Sequence, residues 1–404
     1  MPEKFITGID LGSSNIKVAV AAFNPEGTLQ IVSATEEVAE GINKGIITNL
    51  EEAVTSLSRA LERAERMIGT NIERAIIGIS GTHIITQPSR GVVAVANARG
   101  EIREEDVERV LEAAQTVATP PNYEILHIVP LSFMVDSQPG IKDPVGMTGV
   151  RLEVEAQVIE GLSNQIKTLT KCLSRAGIIC DDLVFSILAA SEAVLERKEK
   201  ELGVGVLNLG STTSSLAVFE EGDLLMTKIL PIGSRHITGD IAIGLKISVD
   251  LAESVKLCYG HALPEEVSPE EKINLNDLDE KETNIFSRRE ISEIIEARGE
   301  EIFKMVEKEL NLIKKSRKLP GGLVLTGGGA KLNGIDGLAK KILKLPVSIG
   351  FPKNINIAIE KANDPIFASA IGLTLWGKEM GLARRKKDVS VLETLKNIFK
   401  RFLP

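Results

Sequence analysis

The apolar and polar positions at the start of the chain predict β-strands followed by one long helix. The first apolar runs alternate with polar residues or continue unbroken, and a glycine turn separates the first two, which is typical of a β-hairpin. Asn49 is a favourable N-cap for a helix over 51–68, where apolar residues recur at helical spacing. This order predicts an α/β domain with a mixed sheet. The predicted strands are 5–11, 16–23, 28–38 and 75–79.

A hairpin of the same kind begins near Gly203 and opens a second α/β unit. Its strands lead into two helices, a charged segment at 262–290 that is typical of loops with short strands, and a long helix. A buried strand then runs into three glycines, and two more helices follow. The predicted strands are 204–219, 224–232 and 323–326, and the predicted helices are 234–245, 248–260, 291–317, 334–344 and 366–380.

Residues 84–162 follow a different pattern, which predicts a small α+β insertion in the first unit. Strand-like stretches flank one helix that starts at an acidic cluster, and the turn-rich run 140–149 separates the last two strands. The chain then returns to the first unit through a helix at 163–176, a strand at 183–186 and a helix at 187–200. Within the insertion, the predicted elements are a strand at 92–95, a helix at 104–117 and strands at 125–135 and 150–160.

Charge is distributed unevenly along the 404 residues. The net charge of −8 argues against general nucleic-acid binding. Residues 384–404 carry seven basic and two acidic residues, a net of +5, which leaves −13 for the rest of the chain. The sequence shows no signal peptide and no run of the roughly 18 apolar residues that a spanning helix needs. We therefore expect a cytoplasmic protein.

Two strand–turn–strand motifs carry polar residues suited to an anion. In each, an apolar strand ends at Asp or Asn, and a glycine allows a tight reversal before a run of small polar residues. Either turn by itself also fits an ordinary hairpin. Hydroxyl and free N–H groups can form a concave anion site, however, and two such turns together predict a binding site for a polyphosphate. Asp10 is predicted to orient the waters of a Mg²⁺ ion, which proteins hold mainly through water and substrate phosphates. The first motif comprises Asp10, Gly12, Ser13, Ser14, Asn15 and Lys17, and the second comprises Asn208, Gly210, Ser211, Thr212 and Thr213.

Two further features support this interpretation. Gly327, Gly328 and Gly329 follow a buried strand and are predicted to bring the backbone against a ligand, although a loose strand–helix turn is the alternative. Glu253 and Lys256 lie three residues apart on one helix face and would otherwise be an ordinary solvated ion pair. Beside the phosphate turns, we expect this pair to face an adenosine. The set resembles the way in which actins, sugar kinases and DnaK-type chaperones hold ATP, and it predicts a two-lobed protein that binds ATP or ADP with Mg²⁺.

The end of the chain predicts an amphipathic helix at 389–404 behind a basic linker at 384–388. Its length of roughly 20 Å is too short to cross a bilayer. We expect it to lie in the interface of an anionic membrane, with its apolar side buried and its basic side toward the headgroups. The alternative is a terminal helix docked on the protein's own core. The predicted membrane contacts are Leu392, Leu395, Ile398, Phe399, Phe402 and Leu403 on the apolar side, and Lys396, Lys400 and Arg401 on the basic side.

Several segments, taken with these motifs, resemble the FtsA family of bacterial cell-division proteins, which are actin homologues. The run 140–153 resembles the inserted subdomain of that family, which actins and sugar kinases lack, and the segments 78–84, 125–130 and 237–242 also fit. The resemblance covers nearly the whole length of the chain. It implies an α/β, actin-like two-lobed fold with an inserted small α+β subdomain and a C-terminal amphipathic helix.

The resemblance also implies a function. Proteins of this family bind ATP, polymerise on the inner face of the cytoplasmic membrane, tether FtsZ there through its C-terminal tail and recruit later division proteins. The expected site for the FtsZ tail is the small subdomain of lobe 2. The implied divisions are a lobe 1 core at 1–83, continued at 163–198 and about 371–383, the insertion at 84–162, a lobe 2 core at 199–226 and 301–370, and the small subdomain of lobe 2 at 227–300.

The chain departs from the family at the second phosphate turn. The family pattern there is Asp-Ile-Gly-Gly-Gly-Thr-Thr-Asp, whereas this chain runs from Asn208 to Ser215 with neither aspartate. Because Asn208 carries no charge and accepts no proton, we expect a slow ATPase at most. A sugar-kinase-type phosphotransferase would need a catalytic carboxylate here. A PilM-type pilus-assembly scaffold, the other alternative, would share the fold without the amphipathic tail.

Overall fold

The computed structural model describes residues 5–381, so the predicted linker and amphipathic tail helix lie outside the described residues. Within 5–381, no helix is both long and apolar enough to cross a membrane. The strands are β1 (Phe5–Leu11), β2 (Asn15–Phe23), β3 (Leu29–Val38), β4 (Ile42–Asn43), β5 (Ile46–Ile47), β6 (Arg74–Ile79), β7 (Ile84–Ala94), β8 (Tyr123–Val135), β9 (Gln138–Ile141), β10 (Arg151–Leu162), β11 (Ile179–Phe185), β12 (Val204–Leu209), β13 (Ser214–Glu220), β14 (Asp223–Leu230), β15 (Lys272–Asn274), β16 (Ile285–Ser287), β17 (Leu323–Thr326), β18 (Val347–Ile349) and β19 (Asn356–Ile357). The helices are α1 (Leu50–Ile68), α2 (Glu104–Ala118), α3 (Ser163–Arg175), α4 (Ser186–Val194), α5 (Arg197–Leu202), α6 (Ser234–Leu245), α7 (Val249–Tyr259), α8 (Arg288–Leu312), α9 (Ile335–Leu343) and α10 (Ala368–Glu379).

Lobe 1 is built on a six-stranded mixed sheet with the order β11-β6-β1-β2-β3-β19. Helix α1 begins as predicted, because the side chain of Asn49 accepts hydrogen bonds from the backbone N–H groups of Glu51 and Glu52. The chain returns to lobe 1 earlier than the predicted residue 371. Strand β19 pairs in parallel with β3, and α10 packs against β1 and α4. Two-residue strands such as β19 leave no periodic signal in the sequence, which is why this return escaped prediction.

Lobe 2 repeats the central part of this arrangement. Its sheet has the order β14-β13-β12-β17-β18, with β12 antiparallel to β13 and parallel to β17, as β1 is antiparallel to β2 and parallel to β6. Two predicted helix spans were wrong. The span 187–200 divides into α4 and α5 at Glu196, whose N–H donates to Glu199 at 2.6 Å and starts a new helix. The helix predicted at 291–317 ends at Leu312, because Lys314 turns to a φ of 60°.

The insertion forms its own four-stranded sheet, with the order β7-β10-β8-β9, and α2 covers one face of it. Strand β9 occupies the start of the run that the sequence predicted as a turn, because it pairs antiparallel with β8. The insertion also reaches lobe 2 at β14, an edge strand of that sheet. The hydrogen bonds that join the insertion to β14 include Lys142 Nζ to Asp223 Oδ2 at 2.6 Å, Thr86 Oγ1 to Thr227 Oγ1 at 2.8 Å, and Gln157 Nε2 to the Leu225 carbonyl at 3.4 Å.

Helix α10, strand β11 and the insertion meet at a polar cluster around Trp376. The Trp376 indole N–H donates to Asp182 Oδ2 at 3.0 Å, and the His127 ring lies 5.4 Å from the Trp376 ring. The Nε2 atom of His127 accepts a hydrogen bond from the N–H of Phe185. Burial raises the pKa of Asp182 to about 6, despite the opposing hydrogen bonds from Trp376 and Leu183. The folded protein therefore keeps this carboxyl group protonated up to a higher pH than an exposed aspartate.

Asp182→Asn is expected to be more favourable for stability at pH 8 than at pH 4. At both pH values the amide offers one acceptor oxygen to two donors, the Trp376 indole N–H and the Leu183 N–H, so it loses one hydrogen bond. The folded state holds the Asp182 proton more tightly than the unfolded state, so this group's contribution is fully present below its ordinary pKa of 3.8 and is lost as the pH rises through about 6. The effect of the substitution should therefore be about 2–3 kcal/mol more favourable at pH 8 than at pH 4, since each unit of pKa difference corresponds to about 1.4 kcal/mol. Urea unfolding followed by the fluorescence of the single tryptophan measures it. A change in stability of equal size at both pH values would contradict the prediction.

Candidate functional site

A cleft of about 650 Å³ lies between the two lobes, and residues of both lobes line it. All the cofactor-binding residues predicted from the sequence border this cleft. Their roles remain predictions, but the structure brings together side chains that are widely separated along the chain. The lining includes Asp10, Gly12, Ser13, Ser14, Asn15 and Lys17 from lobe 1, and Asn208, Gly210, Ser211, Thr212, Thr213, Glu253, Lys256, Gly327, Gly328 and Gly329 from lobe 2.

The two polar turns face this cleft and share one steric requirement. A Cβ atom on Gly12 would lie 2.6 Å from the carbonyl oxygen of Asn15, and a Cβ atom on Gly210 would lie 2.6 Å from that of Thr213. Only glycine therefore allows the chain to reverse so closely at either turn. The equal distances show that the sequence repeat is also a repeat of backbone geometry.

Two serines that the sequence analysis missed hold the polar residues at the strand ends. The hydroxyl of Ser186, at the start of α4, donates to Asp10 Oδ1 at 2.9 Å. At the end of β12 in lobe 2, Asn208 Nδ2 donates to the hydroxyl of Ser369, near the start of α10, at 3.2 Å. Each strand-end residue is thus held by a serine at a helix start, and the residue is a charged acceptor in β1 and a neutral donor in β12.

The floor of the cleft contains a direct contact between the lobes. The hydroxyl of Ser80, just after β6, lies 3.1 Å from that of Ser215 in β13. The small hairpin β4–β5 adjoins this point, and its Gly45 N–H donates to Ser13 Oγ at 2.9 Å. Ser80 and Ser215 also line the cleft, although nothing in their local sequence marks them.

The structure gives two of the three consecutive glycines a packing role. A Cβ atom on Gly327 would lie 2.2 Å from Asn208 Oδ1, and one on Gly329 would lie 2.4 Å from the Leu209 side chain. Both glycines therefore permit close contact with β12, while all three line the cleft, so their contact with a ligand stays a prediction. A Cβ atom on Gly328 would meet no described atom within 4 Å. Gly328 is the position at which the backbone is open to the cleft.

Lys256 and Glu253 are not an ordinary solvated ion pair. Lys256 is only 7% exposed, and its Nζ atom donates to Glu253 Oε2 at 2.7 Å and to Thr238 Oγ1 at 2.9 Å. Thr238 also hydrogen-bonds Glu253. A buried ammonium group held by two partners has one defined position, so this network gives the lobe 2 wall of the cleft a fixed polar surface.

The charged groups of the cleft suit a metal–polyphosphate ligand. Among residues 5–381, no three His, Cys, Asp or Glu side chains converge as a metal site. Asp10 supplies one carboxylate, which matches Mg²⁺ because this ion takes few protein ligands and keeps several waters. The basic side chains of Lys17, Arg235 and Lys331 also line the cleft. The residues present therefore fit Mg²⁺ held through water and phosphate oxygens.

Comparison with known proteins gives consistent similarities. The sequence profile described as "Cell division protein FtsA" matches residues 205–372, and the profile "SHS2 domain inserted in FTSA" matches residues 81–160. Proteins named "Cell division protein FtsA" are similar over most of their length. The one from Borreliella burgdorferi is 38% identical over 98% of this chain and 96% of its own. The one from Bacillus subtilis is 39% identical over 90% of this chain and 81% of its own.

Solved structures show the same fold at low sequence identity. The "PilM-PilN type IV pilus biogenesis complex" has a chain with a TM-score of 0.69 and 18% identity, covering 92% of this chain and 98% of that one. MreB5 of Spiroplasma citri bound to ADP has a TM-score of 0.55 and 14% identity, covering 94% and 98% respectively. These similarities confirm the predicted actin-like two-lobed fold.

Proposed function

This chain belongs to the FtsA family of cell division proteins, and on that basis we propose that it is a nucleotide-dependent membrane anchor of the division machinery. It binds ATP or ADP with Mg²⁺ between its lobes, polymerises on the inner face of the cytoplasmic membrane and holds FtsZ there. Later division proteins join it at the same place. The observation that carries the nucleotide-binding part is the pair of matched polar turns on opposite walls of one cleft, each with a glycine that no other residue can replace.

In this proposal the two lobes contribute different groups. The turns supply hydroxyl and N–H donors to the phosphates, and Gly328 and the Glu253–Lys256 pair face the adenosine. Asp10 would hold the waters of a bound Mg²⁺ ion, and that ion would neutralise phosphate charge. The FtsZ tail docks on residues 227–300, and residues 389–404 attach the protein to anionic lipid.

The alternative functions have less support. The PilM-type scaffold rests on a structural similarity at 18% identity, which speaks for the fold, whereas the FtsA relatives exceed 30% identity over most of the chain. A phosphotransferase of the sugar-kinase type would place a carboxylate where the chain has Asn208. The amide nitrogen of that residue instead donates to the Ser369 hydroxyl.

Asn208→Asp is expected to raise a low rate of ATP hydrolysis. A carboxylate at this position would accept a hydrogen bond from the Ser369 hydroxyl, whereas the amide of Asn208 donates one to it. The side chain can therefore keep its position while it brings a negative charge to the metal waters. Phosphate release measured with saturating ATP and Mg²⁺ tests the change, with Asn208→Ala as the matched variant that adds no charge. Turnover by the unaltered chain at about 1–100 per second, the range of ordinary kinases, would overturn the expectation of slow hydrolysis.

The whole proposal is tested by reconstitution on lipid vesicles. Fluorescent FtsZ tail peptide should sediment with anionic vesicles only when the full chain is present, and sedimentation of the chain should increase with ATP as it polymerises. A chain ending at Ala383 should bind the peptide in solution without carrying it to the vesicles. Peptide recruitment by the truncated chain, or none by the full chain, would contradict the anchor function.

A further inference from the structure

We propose that Ser186 is a positioning residue for the metal: it fixes the Asp10 carboxylate so that one oxygen is held and the other is presented to the waters of a nucleotide-bound Mg²⁺. This inference rests on the proposed nucleotide binding. It concerns a residue far from both polar turns in sequence, since 176 positions separate Ser186 from Asp10.

The hydrogen bond sits in a built pocket. Ser186 is 2% exposed, and its hydroxyl has committed its proton to Asp10 Oδ1 at 2.9 Å, because a carboxylate only accepts. The third wall is Gly78 of β6, where a Cβ atom would lie 2.7 Å from Ser186 Oγ and 3.0 Å from Asp10 Oδ1. Three elements, β1, β6 and α4, thus converge on one carboxylate oxygen. The Asp10 side chain has little freedom left, and its second oxygen is the one available to the cleft.

The helix that carries Ser186 also places its dipole beside the Asp10 carboxylate. Ser186 is the first residue of α4, so the positive end of the helix dipole lies beside the Asp10 carboxylate. A hydrogen bond to an ionised acceptor is shorter and stronger than one between neutral groups. The serine therefore orients the carboxylate without neutralising it, which is what a group that holds metal waters requires.

The counterpart of Asp10 in lobe 2 is Asn208, which has no charge to offer a metal. Asn208 is also held by a serine at a helix start, but its Nδ2 atom donates to Ser369 and its Oδ1 atom packs against Gly327. The amide nitrogen is thus committed to the protein, and the side chain carries no charge. Of the two strand-end residues, Asp10 alone brings a negative charge, so the orientation of Asp10 decides how well this end of the cleft receives a metal.

The test compares nucleotide affinity with and without metal. Calorimetric titration of Ser186→Ala with ATP should show affinity about tenfold below that of the unaltered chain in Mg²⁺, the usual cost of losing one hydrogen bond to a charged group, and equal affinity in EDTA. Ser191→Ala is the matched control, because Ser191 lies on the same helix, is fully buried and donates only within the helix, to the Ile187 carbonyl at 2.8 Å. It should bind like the unaltered chain in both conditions.

A double-mutant cycle separates positioning from general damage. In an Asp10→Asn background, Ser186→Ala should cause no further loss in Mg²⁺, because the group it positions has already lost its charge. Equal losses for Ser186→Ala with and without metal, or an additive loss in the Asp10→Asn background, would overturn the inference and leave nucleotide binding standing. If the unaltered chain binds ATP neither in Mg²⁺ nor in EDTA, the proposed function is wrong and this inference fails with it.

Discussion

Replacing Phe399 and Phe402 together by glutamate is expected to leave the protein in the supernatant when it is centrifuged with anionic vesicles, whereas the unaltered chain sediments with them. The predicted tail helix places Val391 and the six predicted apolar contacts on one stripe, and burying even part of their area contributes on the order of 25 cal/mol for each Å². The basic residues of the tail add about 1 kcal/mol each near an anionic surface. Two carboxylates on the apolar stripe oppose both contributions.

The control variant adds the same charge to the body of the protein. Phe351 and Val150 are 45% and 74% exposed, so glutamate at both positions changes the net charge equally without burying a charge. This variant should still sediment, and both variants should bind ATP normally. If the Phe399 and Phe402 variant still sediments, the tail is docked on the protein and the anchor function is wrong.

Gly328→Val is expected to weaken ATP binding by a hundredfold or more. A Cβ atom at this position meets no described atom within 4 Å, so the protein can fold with the larger side chain. The branched side chain would instead fill space on the wall of the cleft, where the adenosine is expected to lie against bare backbone. Overpacking of a fitted contact costs about 1–3 kcal/mol, and displacement of the ligand from its other contacts adds to this loss. Calorimetric titration with ATP measures the change.

A matched glycine isolates the effect of the cleft. Gly239 in α6 is equally free of described neighbours within 4 Å and has no positive φ, but it is not among the residues that line the cleft. Gly239→Val should therefore retain nucleotide affinity, and thermal unfolding of both variants shows whether each is folded. Normal affinity in folded Gly328→Val would remove the nucleotide from this wall.

The two turns were predictable because their signal is local. An apolar strand, a glycine and a run of small polar residues occupy a few consecutive positions, and the close approach at Gly12 and Gly210 requires that order. The serines that hold Asp10 and Asn208 were not predictable, since 176 and 161 positions separate the partners. A serine at a helix start is common, and only the folded chain shows which of them reaches a cleft.

The different surroundings of the three consecutive glycines could not be predicted from the sequence. Gly327, Gly328 and Gly329 are identical in sequence, yet two are required by contact with β12 and one is open. A single sequence records that a side chain is absent but not what occupies its place. The break between α4 and α5 was missed for a related reason, because helical periodicity continues across the cap at Glu196, which only a side-chain hydrogen bond reveals.

The position of the insertion on β14 has a thermodynamic consequence. The insertion is joined by the chain to lobe 1 but contacts lobe 2 through Lys142 and Asp223, Thr86 and Thr227, and Gln157. A rotation of the lobes that widened the cleft would carry β14 past the insertion and disturb these contacts together. Any such coupling between the cleft and the insertion is reciprocal. A protein that binds the insertion and displaces it would then change the affinity of the cleft for nucleotide by the same factor by which the nucleotide changes the affinity of the insertion for that protein.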